Sequence, residues 1–106
     1  MEIVQVATTT SSRENADQIA RRLVEEKLAA CIQISGPITS FYHWQGSLQE
    51  DREYLLTVKT AKKHIPAISE IFSQLHPYDL PELIALPIVD GSPAYLAWVK
   101  ENLKLK

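Results

Sequence analysis

Apolar positions along this chain switch between two rhythms, and the switches mark its elements. From Ile3 to Thr10 β-branched residues dominate, with Ile3, Gln5 and Ala7 on one side and Val4 and Val6 on the other, which predicts a strand. Thr8-Thr9-Thr10-Ser11-Ser12 ends it, and Ser11 with Glu14 makes an S-x-x-E capping box that satisfies two orphan amides at a helix start. Ala16, Ile19, Ala20, Leu23 and Val24 then recur at the i, i+3, i+4, i+7, i+8 spacing of one buried stripe, predicting a helix to about Leu28.

A long extended stretch follows over 30–44, with Gly36-Pro37 suggesting a bulge or bend inside it. Gln45-Gly46-Ser47 is a turn signal, and 53–60 is the return strand. The hairpin arms are longer than the roughly 5–6 residues of an ordinary strand, so their surplus length must project or pair with another chain. A second helix carries Pro66 in its first turn and Ile65, Ile68, Ile71, Phe72 and Leu75 at helical spacing. Residues 81–89 read as a fourth strand, in which Pro87 requires an edge or a strand end. Ser92-Pro93 then starts a short helix over 94–103, with Leu96, Val99 and Leu103 as its stripe and Tyr95 and Trp98 beside it.

The order β-α-β-β-α-β-α predicts an α+β, ferredoxin-like sandwich: a four-stranded antiparallel sheet with helices on one face and an extra C-terminal helix, in a single domain over 1–106. The sheet face that the helices leave open needs a cover, which makes self-association the expectation.

Charge narrows the function. A net charge of −2, with acids and bases interleaved as in Arg21-Arg22 and Glu25-Glu26, argues against a nucleic-acid partner. A lone cysteine, Cys31, excludes an intramolecular disulfide and a multi-cysteine zinc site within the chain. The first residues lack the features of a signal peptide, and no apolar run approaches the roughly 18 residues of a membrane span, so a cytoplasmic protein is expected. No glycine-rich phosphate loop or nucleophile motif is present, so catalysis is not expected. The densest chemistry lies in Leu75-His76-Pro77-Tyr78-Asp79-Leu80-Pro81-Glu82-Leu83. There two prolines stiffen a segment carrying an imidazole, a phenol and two carboxylates. Cys31 reads first as a packed small residue, His76 equally as a helix end or a ligand, Tyr42 and Trp44 as same-face anchors, and His43 and His64 as surface residues.

Leu28-Ala29-Ala30-Cys31, Ile38-Thr39-Ser40-Phe41-Tyr42-His43-Trp44-Gln45-Gly46, Leu56-Thr57-Val58-Lys59-Thr60 and His76-Pro77-Tyr78-Asp79-Leu80-Pro81-Glu82 together resemble the CutA family, the divalent-cation tolerance proteins. The resemblance implies a homotrimer similar in architecture to PII signalling proteins. It also implies a cleft between subunits lined by Tyr42, Trp44, Lys59, His76, Tyr78 and Glu82. Some members carry a cysteine at the end of the first strand and a His-His pair before Pro-Tyr; here Thr8 and Leu75 stand at those places. A copper or zinc ion would therefore fall to His76 with Glu82, or to Cys31, a poor donor set unless copies converge. The alternative is a sensor or adaptor whose cleft takes a small anionic metabolite, with Lys59 essential, or a partner protein. Lys59 and Glu82 would form an ion pair if they meet.

Overall fold

The computed structural model describes residues 1–105. Strand β1 spans Ile3–Thr10, helix α1 Arg13–Glu25, β2 Cys31–Trp44, β3 Ser47–Ala61, α2 Ile65–Leu75, β4 Ile84–Pro87 and α3 Pro93–Glu101, with a short 3-10 turn at Lys62–His64 before α2. The sheet order is β2-β3-β1-β4 and every pairing is antiparallel, the ferredoxin-like arrangement.

Even-numbered positions of β1 and β3 face α1 and α2. Val4, Val6, Leu56 and Val58 meet Ile19, Leu23, Ile68 and Phe72 in the main core, all of them buried. Each such side chain contributes about 1.5–3 kcal/mol by leaving water. A second cluster sits on the other face. Ile3 and Ala61, which are register partners at odd positions, pack with Val99 and Leu103, so α3 covers one end of the face that α1 and α2 leave open. The helices α1 and α2 thus share one face, as the sequence predicted, and the extra C-terminal helix packs on the other.

Three boundaries move. The cap of α1 is Ser12, whose Oγ accepts from the Asn15 amide at 3.0 Å, so the capping box on Ser11 is one residue out of phase. Helix α1 stops at Glu25 because Lys27 enters the left-handed region at φ 56. The Leu28 amide then reaches back to the Leu23 carbonyl and the Lys27 amide to that of Val24, a Schellman closure with lysine in the place usually held by glycine. Strand β4 is four residues long where 81–89 was expected, and Pro87 ends it on the sheet edge.

The first hairpin arm, of 14 residues, lies where it was expected, and the return arm, of 15 residues, begins at Ser47 and not at Glu53. Gln45 and Gly46, both at positive φ, make the two-residue turn. Because β1 pairs with β3 only from Tyr54 onward, the part of the hairpin from Ile38 to Glu53 is a two-stranded ribbon outside the four-stranded sheet. The register shifts at Gly36-Pro37, as the sequence suggested. Gly36 lies at φ +143, and a Cβ there would approach the Glu53 carbonyl oxygen to 2.9 Å. Glycine is therefore required where the ribbon leaves the sheet, and its close approach fixes the backbone at Glu53.

Candidate functional site: an acidic, aromatic cleft

At the end of the sheet away from α3, the ribbon and the 78–82 loop enclose an open cavity of about 920 Å³. Its walls include Tyr42 and Trp44 from β2, Asp51 and Glu53 from β3, and Tyr78 and Glu82 from the loop. Tyr42 and Asp51 are diagonal neighbours on one ribbon face, and the Tyr42 hydroxyl donates to the Asp51 carboxylate. That bond, with Asp51 and Glu53 charge nearby, raises the Tyr42 phenol above its usual value.

Glu53 is the buried member, only 5% exposed. The Tyr78 hydroxyl donates to it at 2.7 Å. Burial first, and this carboxylate second, push the Tyr78 phenol well above the ordinary range. Burial, then the charge of Glu53, also raises the Glu82 carboxyl.

His76 holds the loop in place. Its Nε2 lies 2.9 Å from the Thr9 carbonyl oxygen, which can only accept, so Nε2 carries the ring proton. Its Nδ1 accepts from the Tyr78 amide at 3.3 Å. The ring also packs against Phe72 and edge-on to Tyr78, with centroids 5.8 and 4.8 Å apart. Burial lowers the imidazole pKa, partly opposed by the Thr9 bond and Glu53. Both nitrogens are engaged, so neither offers a free lone pair to a metal. Asn15 completes the corner, accepting from Thr10 at 2.6 Å and donating to the Leu75 carbonyl at 3.0 Å.

The expected set is only partly assembled. Tyr42, Trp44, Tyr78 and Glu82 line the cavity, and His76 lies behind Tyr78. Lys59 does not join them within the chain. It sits six residues along β3 from Glu53, about 20 Å of strand, and its Nζ donates to Gln33 at 2.7 Å. The Lys59–Glu82 ion pair is accordingly absent; the ion pairs among the described residues are Arg13–Asp17 and Arg22–Glu26, both on or at the end of exposed α1. Cys31 is half-buried and is the register partner of Lys59, on the sheet face turned away from α1 and α2, so the core-packing expectation does not describe it. His64 is not a surface residue: it is 2% exposed and its Nε2 bonds the Lys104 carbonyl at 2.8 Å.

These positions test the metal expectation. Thr8 Oγ1 stands 3.4 Å from His76 Nε2, so the position beside the histidine holds a hydroxyl and not a thiolate. Among the described residues no three His, Cys, Asp or Glu side chains group as a metal ion requires. The donor set of one chain does not fit a copper or zinc site. Glu53 and Asp51, the acids that matter most in the cleft, were missed. Nothing local distinguishes Glu53 from other strand acids, because its cover, Tyr78, lies 25 residues away.

Fold and cleft together define a small α+β protein of the ferredoxin-like class with a ligand-sized recess beside an overlong hairpin. The CutA1 divalent ion tolerance protein family matches residues 4–102, and the chain belongs to that family. It is 50% identical over 97 residues to the divalent-cation tolerance protein CutA of Thermus thermophilus, covering 92% of this chain and 94% of the relative. Protein CutA of Mus musculus is 43% identical over 92% of this chain, which spans only 56% of that longer relative. The crystal structure of CutA1 from Oryza sativa superposes with a TM-score of 0.96 at 38% identity, covering 100% of this chain and 97% of that one. The names of these relatives support an association with divalent-cation tolerance. Among the described residues no helix is long and apolar enough to cross a membrane.

Proposed function

We propose that the chain is a non-catalytic, cytoplasmic homotrimer that serves divalent-metal tolerance by binding a ligand or partner in its cleft, in the manner of PII-like trimers, and not by storing copper or zinc on its own side chains. The observation that carries this reading is the engagement of the cleft's reactive groups with one another. Tyr42 and Tyr78 donate to Asp51 and Glu53, their phenols are raised away from ionisation, and both His76 nitrogens are bonded. Such groups shape a recess and are not poised for proton transfer or nucleophilic attack. The trimer rests on the resemblance and on the ribbon, whose Phe41 and Leu48 are 64% and 68% exposed. The single cysteine, with no disulfide partner in the sequence, agrees with a cytoplasmic setting. Nucleic acid and membrane are not part of the reading.

Native mass spectrometry of reduced, tag-free protein with and without Zn(II) or Cu(II) tests it. The expected result is a trimer whose metal uptake is weak and unchanged by His76→Ala. A stoichiometric ion that is lost in His76→Ala overturns the reading in favour of a direct metal site.

A further inference from the structure

Helix α3 is attached by less than the other two helices. Within its span one residue, Val99, is buried, against three each in α1 and α2. Val99, with Leu103 just past the helix end, anchors it to Ile3 and Ala61, while the stacked rings of Tyr95 and Trp98 stay exposed. The rest of the attachment is polar and lies beyond the helix. The Lys104 amide donates to the Lys27 carbonyl at 2.9 Å, and the Lys104 carbonyl accepts from His64 Nε2 at 2.8 Å. The Leu105 carbonyl accepts from the Lys63 ammonium. Lys27 stands past the end of α1, where its carbonyl has no helical partner of its own. His64 is nearly fully buried, and since a carbonyl can only accept, its Nε2 carries the ring proton. All three bonds are made within one chain, so they do not depend on how copies assemble.

We propose that α3 and its tail, residues 93–105, form a hinged flap that turns on 89–92 and is latched at 104–105 by His64 and Lys27. The link over 89–92 is neither strand nor helix and is exposed throughout, as a hinge requires. What the flap covers gives it a use. Ile84 and Leu86 point away from α1 and α2, alternate along β4 and are exposed. Ile88 continues that row, with its amide on the Ile3 carbonyl at 3.2 Å, but packs into the Ile3–Ala61 cluster under α3. Latched, the flap ends the exposed apolar row at Leu86; open, it lengthens the row by Ile88, Ile3 and Ala61. The latch thus sets how much apolar surface this sheet face presents. The cleft reading is not needed for this device and does not stand or fall with it.

Hydrogen–deuterium exchange of the full chain, in whatever assembly it adopts, tests this. The expected result is that the amides of 96–104 exchange as one group, ahead of the paired amides of β1 and β3, because the flap opens while the sheet stays closed. His64→Leu strips the Lys104 carbonyl of its donor, and Lys104→Pro removes the amide that meets Lys27. Each should speed that group by roughly tenfold or more and leave β1 and β3 as they were. His64→Gln keeps an N–H donor and should restore most of the protection. Lys104→Pro alters no residue of α2, so it keeps the test open if His64→Leu disturbs the start of that helix or fails to fold. Amides of 96–104 that exchange as slowly as those of β1 and β3 in the unaltered chain overturn the proposal. So does a Lys104→Pro chain whose α3 exchanges at the unaltered rate, or one in which every element speeds up equally.

Discussion

His76 shows how a single side chain decides whether the cleft exists. Its neutral ring accepts from Tyr78 and donates to Thr9, so a second proton on Nδ1 would set two donors face to face and release the Tyr78 backbone. The lowered pKa carries the same message as a stability term. The unfolded chain binds a proton on this ring near pH 6.5 while the folded chain resists until lower pH, so the contribution is complete above about 6.5 and is lost as pH falls through the folded value. Glu82 has the opposite sign. Its raised carboxyl binds a proton in the folded state before the unfolded one does, so ionised Glu82 opposes folding at neutral pH and the opposition fades as pH falls toward the ordinary carboxylate value. We expect His76→Ala to cost about 2–4 kcal/mol, from two hydrogen bonds and two aromatic contacts, and to flatten the stability decline below pH 6.5. Glu82→Gln should raise stability slightly at pH 7. Denaturant unfolding from pH 5 to 8 at one protein concentration checks both. A His76→Ala profile parallel to wild type would remove this ring from the pH dependence.

At the scale of elements, what could be read early was what depends on near neighbours. The Ser92 cap, the Gln45-Gly46 turn, the bulge at Gly36-Pro37 and the buried stripes of α1 and α2 are set within a few residues and stand where the pattern placed them, except that Val24, at the end of the α1 stripe, is 42% exposed. What failed depends on distant chain. Strand β4 pairs only with Val4–Ala7 of β1, short of where the local pattern ends, and the burial of Glu53 is set by a loop 25 residues on. The end of α1 belongs to a third kind: a local motif with an unexpected residue, since Lys27 holds a left-handed position without the freedom of glycine. Its carbonyl also accepts from the Lys104 amide at 2.9 Å, which uses only backbone. Lys27→Gly should therefore keep the closure, relieve the strain and stabilise the chain by about 0.5–1 kcal/mol. A shift of the unfolding midpoint to higher urea at unchanged slope is the expected reading, and a shift to lower urea would mean that the lysine side chain does more than tolerate its backbone.

The whole molecule is stretched in one direction, and the stretch bears on the proposed trimer. Its radius of gyration is 14.3 Å and its extents are 45 × 27 × 21 Å, whereas a compact chain of this length has a radius near 13 Å. The excess comes from the ribbon, which pairs with nothing beyond its own two strands and carries Phe41 and Leu48 on one face in diagonal register. The face of the sheet beyond α3 is equally uncovered, with Ile84 and Leu86 on β4 at 52% and 56% exposure. An isolated two-stranded ribbon is marginal in water, and the proposed trimer would supply the support it lacks. If the trimer forms through the ribbon, burying Phe41 and Leu48 contributes about 1.5–3 kcal/mol for each side chain in each copy. Neither side chain belongs to a core cluster of its own chain. Phe41→Ser with Leu48→Ser should consequently convert a particle of three 12.0 kDa chains into folded single chains, with the helical circular dichroism preserved. Sedimentation velocity across a hundredfold dilution separates the outcomes. Persistence of the trimer in the double variant would move the interface to the Ile84–Leu86 face, and a wild-type mass of one chain would leave the ribbon's order to be explained by something other than a second copy.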